Sequence, residues 1–203
     1  MSSYTIPYVT TRTNAGERTV DIYSRLLADR IIYLGTGIDD GVANAVIAQL
    51  LHLANDNPDT PISLYLNSRG GSIPATLAIY DAMQFVRPAV ETTCVGQVVA
   101  SAAVLLAGGA AGHRQILPHG RVVIHALATE GRGTIPDLIL EADEVARVRA
   151  LQEQLLSIHT GRSPEQLRED TERDLILTPE QAVAYGVVDR ILTGTGESSA
   201  ART

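Results

Sequence analysis

The sequence contains a single cysteine among 203 residues, so no disulfide can form within the chain. That cysteine, Cys94, lies in the apolar segment VETTCVG, where a small buried strand residue is expected rather than a redox site. Positive charge is also in deficit, because the formal net charge is -7. An acidic surface repels polyanions, which disfavours nucleic acid or an anionic membrane as the main partner.

Targeting and membrane-spanning signals are equally scarce. The N-terminus has no cationic start followed by an apolar region, so no secretory signal is predicted. The most apolar window, residues 98–111, is too short and too rich in glycine and alanine to span a bilayer. We therefore expect a cytoplasmic protein with one domain over residues 1–193 and a disordered tail over residues 194–203.

Strand and helix patterns alternate along most of the chain, which favours an α/β fold with mostly parallel strands. Strands are predicted at IIYLG (31–35), ISLYLN (62–67), VETTCVG (90–96), RVVIH (121–125) and, closing the chain, VVDRIL (187–192). In ISLYLN the alternation places Ile62, Leu64 and Leu66 on one face and Tyr65 on the other.

Helices are predicted between these strands. Asp39 or Asp40 is expected to cap a helix whose apolar face comprises Val42, Val46, Ile47, Leu50 and Leu51. A second helix follows the turn SRGGS and ends before Pro88, and a third is predicted over GQVVASAAVLLAGG (96–109).

The longest helical pattern extends from Ile135 to about His159, roughly 35 to 40 Å at 1.5 Å per residue. A helix of that length exceeds what one small domain needs, so part of it is expected to reach another subunit. Ser163 with Gln166, and Thr178 with Gln181, then predict two capping boxes, each with proline at the first helical position.

Three features could carry chemistry. Gly70 and Gly71 form a strand-to-helix turn that can direct backbone N–H groups at a phosphate or an oxyanion. His125 ends a strand, and Asp174 lies in the charged string EDTERD. Each feature alone is more often structural than functional.

Together these segments resemble one family, the proteolytic subunit of the Clp protease (ClpP), over roughly residues 5 to 193. The resemblance rests on GERTVDIYSRLLADRIIYLGTGIDDGVANAVIAQLLHL, ISLYLNSRGGS, AIYDAMQFVRP, CVGQ, RVVIH, EDTERD and PEQAVAYGVVDRIL.

The resemblance implies a serine endopeptidase with a crotonase-like spiral of βαβ units and a protruding long helix. Seven subunits form a ring, two rings stack through that helix, and residues 1–20 form an axial segment. An AAA+ unfoldase docks on the outer ring face and delivers unfolded proteins. It hydrolyses ATP, which agrees with the lack of a GxxxxGK[ST] motif here. No cofactor or metal is implied.

The same resemblance assigns roles to single residues. His125 is the general base, and Asp174 orients its imidazole. Gly70 and Ser101 supply backbone N–H groups to the oxyanion hole. Two further roles lie outside the active site. Glu172 and Arg173 make ring-to-ring ion pairs, and Tyr65 lines the pocket where the unfoldase docks.

The nucleophile position fails to match. The family serine lies four residues after the glycine of GQ, and that position here is Ala100. In a helix, Ser101 would be rotated by about 100° from that position, away from His125. Ala100 is either an engineered Ser→Ala substitution or the mark of a natural non-catalytic subunit that assembles with an active paralogue.

Two other segments depart from the family pattern. The turn reads SRGG rather than SPGG, so Arg69 lacks the φ restraint of proline. ALATEGRG (126–133) replaces a Gln-Pro followed by a glycine-rich strand that helps to bind substrate. Both departures suit a specialised second paralogue.

Two alternative functions remain from the sequence. A crotonase-fold enzyme acting on acyl-CoA would also use an oxyanion hole, but it would need neither His125 nor Asp174 in these contexts. A purely structural ring subunit would dock the unfoldase without cleaving any peptide.

Overall fold

Strands and helices alternate along the chain, as predicted. The structure is a computed structural model that describes residues 5–13, 16–125 and 133–193. The strands are β1 (Tyr8–Thr13), β2 (Gly16–Asp21), β3 (Ile31–Leu34), β4 (Ile62–Ser68), β5 (Val90–Val99), β6 (Arg114–Ile116), β7 (Arg121–Ile124), β8 (Leu175–Leu177) and β9 (Arg190–Ile191). The helices are α1 (Ile22–Ala28), α2 (Asp40–Asp56), α3 (Ile73–Phe85), α4 (Ala102–Ala107), α5 (Ile135–Thr160), α6 (Pro164–Asp170) and α7 (Pro179–Tyr185).

One sheet of seven strands organises these elements. Five strands follow the order β3-β4-β5-β6-β9, all paired in parallel. β7 pairs in parallel with the far end of β5 and antiparallel with β8. The mostly parallel α/β architecture is therefore confirmed, with β8 as the antiparallel exception.

The central strand β4 shows why this sheet forms. Ile62, Leu64 and Leu66 are fully buried on one face, as their alternation predicted, and each contributes about 2 kcal/mol by burial. Tyr65 lies half-buried on the opposite face.

α2 lies where it was predicted, and its predicted apolar face is buried or packed against the core except at Leu51. The carboxylate of Asp39 caps it by accepting from the Val42 N–H at 2.8 Å. Val46 and Leu50 are buried as expected, whereas Leu51 is 47% exposed. Leu53 takes the buried place that the prediction gave to Leu51.

β5 is longer than predicted, and it changes partner along its length. Thr92–Cys94 pair with β6, whereas Gln97–Val99 pair with β7. Between them the register against β4 shifts, and Gly96 takes a φ of +98°. A glycine at a bulge lets a strand bend, so β5 continues through GQVV instead of ending at Gly96. The helix predicted over 96–109 is therefore wrong in its first half, since α4 begins only at Ala102.

From α5 to β9 the chain follows the predicted order of elements, except for the added strand β8. α5 is 26 residues long, and its N-terminal half leaves Ile135, Ile139 and Leu140 exposed. Thr178 and Gln181 form the expected capping box of α7. In α6 the Ser163 hydroxyl accepts from the Gln166 N–H, which confirms the N-cap.

The hairpin of β1 and β2 and the short strands β6 and β8 were not predicted. The tail at 194–203 and most of ALATEGRG (126–133) lie outside the described residues. Within the described part of the chain, no helix has both the length and the apolar character needed to cross a membrane.

Candidate active site

The backbone brings Ala100, His125 and Asp174 to one edge of the sheet. Ile124, the last residue of β7, pairs antiparallel with Leu175, the first residue of β8. His125 and Asp174 extend that ladder by one position on each strand, so they lie across from each other. The Ala100 N–H donates to the carbonyl of Val123 in β7 at 2.9 Å. The three predicted triad positions are therefore neighbours, although up to 74 residues separate them in sequence.

Ala100 has an unusual backbone conformation. Its φ of +54° lies in the left-handed region, which among the described non-glycine residues only Arg30 shares. An alanine in this conformation costs about 1 kcal/mol or more. Ala100 also joins strand β5 to helix α4, a strained strand-to-helix turn of the kind that exposes the nucleophile in α/β-hydrolases. Position 100 thus has the backbone conformation of such a turn, with a methyl group as its side chain.

Ser101 is directed into the protein. It is 3% exposed, and its hydroxyl accepts from the Gly71 N–H at 3.2 Å and lies 3.0 Å from the Thr76 hydroxyl. The helical rotation invoked from the sequence is not the reason, because residues 100 and 101 form a turn before α4. Neighbouring groups from α3 and the glycine turn hold this hydroxyl instead.

The glycine turn has little room for side chains. Gly70 has a φ of +78°, and a Cβ there would lie 2.7 Å from the carbonyl oxygen of Val99. At Gly71 the φ is +155°, and a Cβ would collide with the backbone of Ile38. Only glycine allows the turn to approach both segments this closely.

The two predicted oxyanion donors are placed differently. The Gly70 N–H donates to the Ser68 hydroxyl at 3.1 Å, so this donor has an acceptor within its own turn. For the Ser101 N–H, no acceptor is found among the described residues. Both roles stay predictions, with Ser101 in the more favourable position.

The surroundings of His125 include a feature that sequence reasoning missed. His125 is half-buried beside a cavity of about 10 Å³, which is lined in part by Gln152 and Glu153 of α5. A cavity of this size holds about one water molecule. Its polar lining comes from a helix that the sequence indicated only as a long amphipathic segment.

Glu153 is 5% exposed and forms ion pairs with Arg149 at 2.9 Å and Arg168 at 2.7 Å. Burial alone would raise the pKa of Glu153, but hydrogen bonds from Arg168 and Arg149 outweigh it and lower that pKa. The charged group joins α5 to α6, which leads to Asp174. The helical spacing of Arg149 and Glu153 was the available sequence signal.

The remaining predicted residues lie at the surface. Asp174, Glu172 and Arg173 are all exposed. Tyr65 is half-buried, and the strand register places it beside Tyr33, which is 37% exposed. In the described residues, no group of three or more His, Cys, Asp or Glu side chains could hold a metal ion.

Comparison with known proteins agrees with this geometry. A family model described as Clp protease matches residues 14–195. The chain is 58% identical to ATP-dependent Clp protease proteolytic subunit 1 of Nocardia farcinica, over 97% of this chain and 100% of the relative. It is 57% identical to proteolytic subunit 4 of Rhodococcus jostii, over 95% and 99% of the two chains. It is also 53% identical to proteolytic subunit 2 of Streptomyces avermitilis, over 95% and 97%. A family match over nearly the whole chain, with relatives more than half identical to it, shows that this protein belongs to the Clp protease family.

Proposed function

We propose that the chain is a proteolytic-type subunit of a Clp protease that cannot cleave peptides as written, because Ala100 occupies the nucleophile position. The observation that carries this proposal is the left-handed turn at Ala100, beside the paired strand ends that His125 follows and Asp174 precedes. In this proposal His125 is the base, Asp174 is the orienting carboxylate and position 100 is a strained turn that lacks only the hydroxyl.

The chemistry of the intact site follows from these positions. A serine at position 100 would attack the peptide carbonyl while His125 takes its proton, and Asp174 would stabilise the resulting imidazolium. The Ser101 N–H, together with the Gly70 N–H once it leaves the Ser68 hydroxyl, would bind the oxyanion. Without the hydroxyl His125 has nothing to activate, and loss of a triad serine costs about 10⁶-fold in kcat.

The proposed assembly is a pair of stacked seven-membered rings, formed with itself or with a paralogue. The protruding α5 supports ring stacking, because four large apolar side chains of its first half are exposed: Ile135, Leu138, Ile139 and Leu140. Glu172 and Arg173 are accessible for ion pairs between rings. A cytoplasmic AAA+ unfoldase that hydrolyses ATP would deliver unfolded proteins. The relatives are named as subunits of an ATP-dependent Clp protease, which supports this partner.

The decisive experiment restores the nucleophile. Ala100→Ser, assembled with its paralogue and unfoldase, should react with a fluorophosphonate at residue 100 and gain peptidase activity. The double variant Ala100→Ser/His125→Ala should do neither. The unsubstituted chain should remain unlabelled, and peptide mass spectrometry should find no adduct on Ser101. Labelling of Ser101 in the unsubstituted chain, lost on His125→Ala, would overturn the assignment of position 100.

Assembly is tested separately by light scattering or native mass spectrometry. The expected mass is that of seven or fourteen subunits, alone or with a paralogue. A monomer under all of these conditions would contradict the ring.

A natural scaffold role is the second candidate, favoured by the alanine at position 100 itself. A subunit of this kind would dock the unfoldase and complete a mixed ring while a paralogue cleaves. An alanine codon at position 100 in the source genome supports this role, and a serine codon rejects it. Failure of Ala100→Ser to label in a mixed ring that cleaves peptides would also favour it.

A further inference from the structure

The hydroxyl of Ser101 lies in the middle of a chain of hydrogen bonds. The Gly71 N–H donates to Ser101 Oγ at 3.2 Å, and Ser101 Oγ lies 3.0 Å from Thr76 Oγ1. Thr76 Oγ1 in turn donates to the carbonyl of Ser72 at 2.9 Å. The single proton of Thr76 is shared between the Ser72 carbonyl and Ser101 Oγ, while Ser101 Oγ has its own acceptor in the carbonyl of Gly71 at 3.5 Å. The chain therefore extends from the glycine turn through Ser101 into the first turn of α3.

The two hydroxyls of this chain are buried, since Ser101 is 3% exposed and Thr76 is 1% exposed, whereas Gly71 lies at the surface. If Ser101 lost its hydroxyl, the Gly71 N–H would lose the acceptor that ties the glycine turn to the protein interior.

The glycine turn is held from its other side by Ile38. The Ile38 N–H donates to the Gly70 carbonyl at 2.9 Å, and the Ser72 N–H donates to the Ile38 carbonyl at 2.8 Å. These bonds use the carbonyl of Gly70 and the N–H of Ser72, and they leave the N–H of Gly71 to Ser101. Two adjacent glycines have wide conformational freedom, so support from one side does not determine the orientation of the peptide between them.

We propose that Ser101 is a positioning residue, whose hydroxyl orients the Gly70–Gly71 turn against the turn at Ala100. In this role the Ser101 hydroxyl does not attack the substrate. It is also distinct from the backbone N–H of Ser101, which is the predicted oxyanion donor. Its contribution to catalysis rests on the proposed function, since only a site with a serine at position 100 can show it.

The first test needs no catalysis and uses the assembled chain as it is. Ser101→Ala should accelerate hydrogen exchange of the Gly71 amide by about tenfold or more, because the amide loses its acceptor. Thr76→Val, which keeps the shape of the side chain but removes the hydroxyl that bonds to Ser101 Oγ, should also accelerate this exchange. Thr92→Val is the matched control, because the Thr92 hydroxyl is equally buried but donates to Leu106 at 2.8 Å, within α4. Unchanged Gly71 exchange in both Ser101→Ala and Thr76→Val would overturn the proposal.

The second test uses the Ala100→Ser background and separates binding from chemistry. Adding Ser101→Ala should lower the maximal rate of fluorophosphonate acylation by about tenfold, with the half-saturating probe concentration changed less than about twofold. If Ser101→Ala only caused some of the protein to misfold, a smaller fraction of the protein would react, and that fraction would react at the unchanged rate. This result would refute a contribution of Ser101 to catalysis. If Ala100→Ser never labels, the proposed function fails, and the exchange of Gly71 alone decides the role of Ser101.

Discussion

Arg114 and Asp189 form a two-point ion pair in the interior, with Nη2–Oδ1 at 2.5 Å and Nε–Oδ2 at 3.0 Å. The third guanidinium nitrogen, Nη1, donates to the carbonyls of His159 and Gly186 at 2.9 and 3.0 Å and more weakly to Ala107. These carbonyls come from the C-terminal ends of α5, α7 and α4. A single side chain on β6 therefore joins three helix ends.

Asp189→Leu should lower the free energy of unfolding by about 3–5 kcal/mol at neutral pH, because it leaves the buried Arg114 charge unpaired. Chemical denaturation followed by circular dichroism measures this change. The control is Asp59→Leu, since the Asp59–Arg87 pair is 74% exposed on both sides and should be worth less than about 1 kcal/mol. Equal losses in the two variants would contradict the assignment.

The same pair predicts a dependence on pH. Burial alone would raise the pKa of Asp189, but hydrogen bonds from Arg114 and its charge outweigh burial and hold the pKa below its ordinary value of 3.8. A depressed pKa contributes stability that is fully present above the ordinary value and is lost as the pH falls through the folded-state value. The deficit of Asp189→Leu should therefore shrink below about pH 4. A deficit that is constant from pH 7 to pH 3 would show that the charge of Asp189 does not matter.

Ala100→Gly should stabilise the protein by about 0.5–1 kcal/mol, because glycine adopts a φ of +54° without the steric cost that alanine bears. Ala103→Gly, three residues later within the buried α4, should destabilise it by about 1 kcal/mol. Thermal or chemical denaturation measures the free energy of unfolding of both variants, which should rise in Ala100→Gly and fall in Ala103→Gly. Similar losses in both would mean that the turn at Ala100 stores no strain.

Gln152→Leu should raise the free energy of unfolding by about 1 kcal/mol or more. Gln152 is 9% exposed, and its Nε2 has no hydrogen-bond partner among the described residues. An apolar side chain of similar size removes that unsatisfied donor. Gln154→Leu, at the exposed neighbouring position, should change stability by less than about 0.5 kcal/mol. A loss of stability in Gln152→Leu would indicate that a water in the adjoining cavity satisfies the amide.

Tyr65→Ala should weaken unfoldase binding by about 30-fold while the mass of the ring stays unchanged. Tyr65→Phe, which keeps the ring system, should bind almost normally, and Ser63→Ala is the control on the same face of β4. Binding is measured by interferometry with the unfoldase in its ATP-bound form. Unchanged binding of Tyr65→Ala would remove the docking role from this residue.

Elements with a strong local pattern could be predicted from the sequence, and those set by distant partners could not. The alternation of β4 and the capping residue of α2 specify their elements locally. GQVV is a short apolar run that fits a strand or a helix equally well, and its pairing with β7 and with Ser68 of β4 makes it a strand. β6 and β8 are three-residue strands whose identity also comes from their neighbours.

The candidate site also combines residues that the sequence could predict with contacts that it could not. The resemblance to a family pointed to His125, Asp174 and position 100, but their proximity depends on a ladder between segments about 50 residues apart. The hydroxyl chain through Ser101 depends on Thr76, which is on another helix and carries no local signal.

The bulge at Gly96 limits how this site can change through mutation of its gene. Strand side chains alternate between two faces, so the number of residues after the bulge decides which one arrives at the turn. Deleting a codon between Gly96 and Ser101 would bring the serine to the turn, but it would also remove the hydroxyl that holds Gly71. A point mutation at codon 100 changes neither the register nor that hydroxyl. We therefore expect relatives of this subunit to differ at position 100 by substitution, and not by insertion or deletion within this segment.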